Sequence, residues 1–354
     1  MGTNKKPKIS VCIPTYGRAE VLPKVIGSVL AQTFKDFEIF ISDDASPDTT
    51  EEIVKEFSDT RIRYHRNKKN LGVRDNWNFT VKNANGEYVF KLDDDDYIHP
   101  CFLEKTISLL EKHHNIGSVY TGFYYAKNYN GEWIEEVVDN TFLKGEYMKG
   151  IDYVRGYLLN ISIPRFHPSS VVFRYSVARD ACFFDKATND LMFSLALAIK
   201  ADVGYVPEPL FYYVQHTYER ASYNKSNSSL LDFEPARFIE DFYQIDFVKN
   251  NADLVEIKND AIKKGKIARS ILHIFMCRKG LKLRYYFAAV LSLITRDKKL
   301  LMSPLFLAAL LTISVMPQKI AVKLSYMYKS RQIFASLAKI IFKKRVKHPH
   351  GDRS

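Results

Sequence analysis

The feature that most constrains this chain is an alternation within residues 8–96, where short runs of β-branched and aromatic residues stop at polar loops and helically spaced apolar residues separate them. "KISVCIPTY" at 8–16, "FEIFIS" at 37–42 and "EYVFKL" at 87–92 read as buried strands. Between the first two, Val21, Leu22, Val25, Ile26, Val29 and Leu30 recur at helical spacing. Asp48 is placed to cap another helix, "RIRYHRN" to form a further strand, and residues 73–85 a further helix. Pro100 suits the first turn of the helix that follows, and residues 117–138 read as a hairpin around Asn130 and Gly131. The pattern predicts an α/β layer architecture.

In open α/β sheets ligands bind beyond the carboxyl ends of the strands, and here those ends carry "PTYGR", "DDAS" and "DDDD". One edge therefore gathers the ring of Tyr16 and two carboxylate clusters. Adjacent carboxylates repel and raise each other's pKa, so the run Asp93 to Asp96 is tolerable only in water or beside a cation. The edge suits a ligand that offers a stacking base and a metal-bound diphosphate. An acidic run by itself is more often a solvated turn, but its place at a strand end beside "DDAS" argues for a site. An EF-hand is excluded, because Asp93-x-Asp95-x-Tyr97 lacks the required glycine and closing glutamate.

At 354 residues with 46% hydrophobic content, the chain can form one large domain with an appendage, or two domains. Its four cysteines are scattered with no CxxC pair, which suggests neither a zinc site nor a disulfide framework and fits a reducing cytoplasm. The apolar run Ile9 to Ile13 is too short for a signal-peptide core, and Lys6 stands where a myristoylation motif wants Ser or Thr. The net charge of +12 is unevenly spread: residues 1–257 hold 30 Lys and Arg against 37 Asp and Glu, whereas residues 258–354 hold 22 against three. An acidic body carries a basic tail.

Several spaced motifs together resemble the family 2 inverting glycosyltransferases of the GT-A fold. "ISVCIPTYGR" is similar to that family's opening strand, "SVLAQTFKDFEIFISDDASPDTT" to its helix and Asp-Asp-x-Ser loop, and "NANGEYVFKLDDDDYIHP" to its approach to the metal motif. "FDKATNDLMFSLALAIKADVGYVPEPLFYYVQH" resembles the segment that carries the catalytic base and the strand beyond. The likeness covers roughly residues 8–222.

The resemblance implies a Rossmann-like nucleotide-diphospho-sugar transferase sheet over residues 1–225, and the charge and apolar spacing beyond it point to a basic helical region over 226–354. It implies that Pro14 and Tyr16 border the nucleotide, with the Tyr16 ring on the base, and that Asp44 accepts a hydrogen bond from a uracil imide. Asp93 to Asp95 stand at the DxD-type motif, with Asp94 near the ribose and Asp95 ligating Mn2+ or Mg2+ beside Asp93; Asp96 caps the next helix. Asp190 inherits the role of base, although the preceding residue is Asn189 where the family has Glu, and Trp77 stands where relatives often carry Arg. His216 stands where relatives have a His that reaches the metal or phosphates. The implied reaction moves a sugar from a nucleotide-diphosphate donor, UDP by preference, to a hydroxyl of a glycan or lipid-linked acceptor with inversion, in cell-surface polysaccharide synthesis.

Two alternatives remain at this point. A nucleotidyltransferase would want a Gly-rich phosphate loop after the first strand, where only Gly17 is present. A catalytically inactive, membrane-attached scaffold would bind a nucleotide sugar without releasing nucleoside diphosphate. Residues 281–295 and 300–316 are apolar segments separated by "RDKK", and Ile320, Leu324, Met327, Phe334, Leu337 and Ile341 follow at helical spacing among lysines. That pattern suits helices lying on an anionic membrane, at its cytoplasmic face; a spanning helix and a subdomain packed on the enzyme are the other readings. No nucleic-acid motif is present.

Overall fold

The computed structural model describes residues 6–129, 132–138, 145–159, 167–181, 183, 190–215 and 235–263, together with 303, 307 and 310. The chain divides into two compact units, one of residues 1–157 and 163–225, the other of 158–162 and 226–354.

The first unit is built on a sheet of ten strands: β1 (Ile9–Thr15), β2 (Phe37–Asp43), β3 (Ile62–Arg66), β4 (Tyr88–Lys91), β5 (Tyr97–Ile98), β6 (Ile116–Tyr129), β7 (Glu132–Val138), β8 (Tyr147–Met148), β9 (Val172–Arg174) and β10 (Asp202–Gln215). Their order is β3-β2-β1-β4-β9-β6-β10-β5, with β7 on β6 and β8 on β10. The first four neighbours run parallel, and β9 enters antiparallel between β4 and β6. Every residue of β1, β2 and β4 is buried, which explains their unbroken apolar reading.

Helices α1 (Leu22–Leu30), α2 (Thr50–Lys55), α3 (Val73–Lys82) and α4 (Phe102–Lys112) connect the early strands. α1 buries Leu22, Val25, Ile26 and Val29 as its spacing predicts, in one cluster with Ile9, Val11 and Ile13 of β1 and Phe102 and Leu103 of α4. α5 (Gly150–Leu158), α6 (Tyr175–Asp180) and α7 (Asp190–Lys200) follow. The hairpin is present, with Tyr129 opposite Glu132; Asn130 and Gly131 lie outside the described residues. In the second unit, α8 (Pro235–Phe242), α9 (Asp246–Lys249) and residues 252–263 are helical. The segments at 281–295 and 311–354, and all but Ser303, Leu307 and Leu310 of 300–310, lie outside the described residues. No helix among the described residues is long and apolar enough to cross a membrane.

Pro168–Ser170 forms a turn of 3-10 helix before β9. Two local expectations change. Pro100 precedes α4, whose N-cap is Cys101, so it stops the chain before the helix and not inside its first turn. Asp96 caps no helix: it is buried, and its Oδ1 accepts the Val214 N–H of β10 at 2.9 Å.

Candidate active site

The parallel register sets the edge. Thr15 ends β1 opposite Asp43 of β2, and Cys12 pairs with Lys91 of β4, so the loops after all three strands leave together. Pro14 is buried in β1 beyond its pairing with β4, which stops at Cys12, and this suits a residue with no N–H to give the ladder. Gly17 follows with φ +63°, a conformation that favours glycine, and its N–H donates to Ser46 Oγ at 3.0 Å. The turn leaves the Tyr16 ring half-exposed while the Tyr16 N–H donates to Asp94 Oδ2 at 3.3 Å. Asp48 ties the same loop down, accepting from Ala19 N at 3.1 Å and from Thr50 N at 3.2 Å at the start of α2.

The two aspartates after β2 hold loops. Asp43 is fully buried and accepts from Ser46 N at 2.8 Å, Tyr64 OH at 2.5 Å and Arg66 Nη1 at 2.9 Å. Asp44 fixes the loop that enters α3: Oδ1 accepts from Leu71 N at 2.8 Å and Asn67 Nδ2 at 2.9 Å, and Oδ2 from Gly72 N at 3.0 Å. A carboxylate offers about four lone-pair positions, so one on Oδ2 remains for a ligand N–H.

The acidic run turns immediately after β4. Asp93, Asp94 and Asp95 are partly exposed, whereas Asp96 is buried and its Oδ2 has no hydrogen-bond partner among the described residues. Burial, and then the charge of Asp95, pushes the Asp94 carboxyl up to about 7. Arg18, from the β1 loop, reaches over the run with Nη2 3.6 Å from Asp95 Oδ2 and Nε 3.9 Å from Asp94 Oδ1. A cation is thus already drawn to this position.

Behind the run lies Lys91. Its ammonium is buried, 2.7 Å from Asp93 Oδ1, 3.3 Å from Asp190 Oδ1 and 3.8 Å from the centre of the Trp77 ring. Burial alone would lower its pKa, but the carboxylates of Asp190 and Asp93 outweigh that and hold it above the usual lysine range. Asp190 opens α7, and burial raises its carboxyl above the usual range against the pull of Lys91 and of the Ser169 hydroxyl bonded to it.

The structure therefore brings Asp93, Asp94, Asp95 and Asp190 to one place, with Tyr16 and Pro14 in the adjoining strand and turn and Asp44 bonded to Thr15 O through its own N–H at 2.9 Å. His216 lies outside the described residues. Sequence reasoning missed Lys91, Ser169 and Arg18. Of these only Lys91 left a signal, a lone charge inside the apolar run "YVFKL". Trp77 is not a lost cation: its ring holds one supplied by β4.

Asp93 and Asp95 supply the hard oxygen donors that Mn2+ or Mg2+ prefers, and both are partly open to solvent. Among the described residues no three His, Cys, Asp or Glu side chains group closely enough to hold a metal by themselves. The donor set fits a cation of the kind bound by one or two carboxylates together with a ligand's phosphates.

The chain is similar to several known proteins. The Campylobacter jejuni GalNAc(5)-diNAcBac-PP-undecaprenol beta-1,3-glucosyltransferase is 44% identical over 93 residues, 25% of this chain and 30% of that one. The chain spans only 22% to 44% of the lengths of six curated relatives that it matches. S. aureus TarS 1–349, crystallised with UDP-GlcNAc, superposes with TM-score 0.55 at 19% identity, over 91% of this chain and 92% of that one. The Pyrobaculum calidifontis mannosyltransferase PcManGT, crystallised with GDP-Man and Mn2+, gives 0.56 at 15% identity over 97% and 89%. At such identities the likeness establishes the fold, which is GT-A. Residues 10–181 match the family described as Glycosyl transferase family 2, so over those residues the chain carries a domain of that family.

Proposed function

We propose that the chain is an inverting glycosyltransferase that moves a sugar from a nucleotide-diphosphate donor, UDP by preference, to a hydroxyl of a glycan or lipid-linked acceptor. The observation that carries the reading is the convergence on one sheet edge of an exposed ring (Tyr16), a carboxylate with a free acceptor position (Asp44), an acidic run (Asp93 to Asp95) and a separate carboxylate from α7 (Asp190).

In this reading the Tyr16 ring stacks on the base, and the free position on Asp44 Oδ2 takes the imide N–H of a uracil. Asp94 faces the ribose. Asp93 and Asp95 hold a divalent cation, which when bound neutralises the charge that develops on the leaving diphosphate. Asp190 accepts the proton of the acceptor hydroxyl as its oxygen bonds to the anomeric carbon. The bond from that carbon to the diphosphate breaks, and its electron pair leaves with the nucleoside diphosphate. Attack from the face opposite the leaving group inverts the anomeric centre without a covalent sugar–enzyme intermediate.

The body of residues 1–225 carries this chemistry, and residues 226–354 form a basic region. Within it, residues 258–354 hold 22 basic against three acidic residues, which suits the anionic inner face of the plasma membrane, at about 1 kcal/mol per basic residue near the surface. A polyprenyl-linked acceptor, such as the Campylobacter relative's name specifies, would be presented there for surface-polysaccharide synthesis.

The test is thermal stabilisation of the full chain by UDP-, dTDP- and GDP-sugars with and without Mn2+, followed by assay of nucleoside diphosphate release. Mn2+-dependent stabilisation by the UDP-sugar, with release, is expected. Stabilisation by none of the three contradicts the donor class, and stabilisation without release in the presence of acceptor glycans would make the chain a binding scaffold.

A further inference from the structure

Among the described residues Lys91 is the only buried lysine or arginine, and its surroundings leave it no solvent to satisfy its charge. It is the last residue of β4, paired in register with Cys12 of β1, so its stem starts from the sheet. The ammonium spans two carboxylates from segments far apart in sequence, Asp93 at 2.7 Å and Asp190 at 3.3 Å. The Trp77 ring closes a third side at 3.8 Å from Nζ. A residue needed only for packing would be better apolar, because a buried charge is costly unless it is paired. Lys91 is paired twice, and each partner belongs to a different half of the proposed chemistry.

The geometry points to Lys91 as a positioning residue that joins the diphosphate side of the site to the base side: its ammonium fixes the separation of Asp93 and Asp190, with Trp77 holding the ammonium in place. This rests on the function proposed above. Without the ammonium the two carboxylates face one another across an uncompensated gap and move apart. The donor would still bind, but the attacking hydroxyl would meet the sugar out of line, and a displacement of about 1 Å can cost roughly 10²-fold in rate.

The experiment is a double-mutant cycle on the full chain, with Lys91→Met, Asp190→Asn and the pair, reading melting temperature, donor Kd, kcat and KM. Lys91→Met is expected to lower kcat by about 10²-fold with donor Kd changed less than about threefold, and to lower it less than about threefold further when Asp190 is already Asn. Lys91→Arg, whose fork can reach two carboxylates, should recover part of the loss. Should Lys91→Met fail to fold, Trp77→Leu leaves the ion pairs in place and is expected to lower kcat by about threefold to tenfold at unchanged donor Kd. Wild-type kcat in Lys91→Met, or the same loss in the Asp190→Asn background as in the wild type, overturns the role; so does unchanged kcat in Trp77→Leu if that variant alone folds. A wild-type chain that binds donor but releases no nucleoside diphosphate overturns the proposed function itself, which separates the two failures.

Discussion

The edge made by β1, β2 and the loop into α3 and the edge made by β4 and α7 meet at the same acidic run but are built on different principles. On the first, each aspartate is satisfied by several fixed donors of the surrounding loops: Asp43 takes the Ser46 N–H, the Tyr64 hydroxyl and the Arg66 guanidinium, and Asp44 takes the N–H groups of Leu71 and Gly72. On the second, charge faces charge: Asp93 and Asp190 share Lys91, Arg18 lies over Asp94 and Asp95, and Asp96 is buried with half its carboxyl unsatisfied among the described residues. The first edge is a rigid mould that can recognise a shape. The second keeps unspent electrostatic capacity, as a site where charge must develop requires.

This contrast breaks most sharply at Asp95. Asp95→Asn is expected to abolish nucleoside diphosphate release while leaving the melting temperature close to wild type, since its carboxylate is partly exposed and its contact to Arg18 is long, at 3.6 Å. Chelation of divalent cations should do the same to the wild type. Release that persists in Asp95→Asn under chelation would mean that the charged edge works without a cation.

On the rigid edge the effect should be on stability. Asp43→Ala removes a buried carboxylate with three donors and strands those donors, so unfolding free energy should fall by roughly 2–4 kcal/mol, read by urea titration. A loss below ~0.5 kcal/mol would mean the loop holds itself without that carboxylate. Tyr16→Ala should leave stability unchanged, because the ring is half-exposed, and weaken donor binding by about tenfold, an ordinary value for lost stacking. Donor affinity that is unaffected would remove the ring from the base site.

The two edges also differed in how far the sequence announced them. β1, β2 and β4 were legible because strands buried on both faces are written as continuous apolar runs, and Tyr16, Asp44 and Asp93 to Asp95 follow from where those runs stop. Lys91 was not, because a lone lysine in a strand reads as a surface position until its partners are known, and Asp190 lies 99 residues away. Asp96 was misread as a cap for the same reason: its acceptor role is to Val214, 118 residues later, and a local cap was the nearest explanation available. Pro100 was misplaced by two residues, within the usual uncertainty of a helix start. Local patterns carried the mould; the charged edge depends on contacts that only the fold creates.

The smallest expected change, that in donor affinity at Asp190, is the most telling. In Asp190→Asn, donor affinity measured by calorimetry in the presence of Mn2+ should equal that of the wild type within about twofold, while nucleoside diphosphate release falls by ~10² to 10⁴, as loss of a general base requires. Those two results together would place recognition on the β1–β2 edge and proton removal at α7. Undiminished release, or a loss of donor affinity as large as the loss of release, would contradict that division of the site.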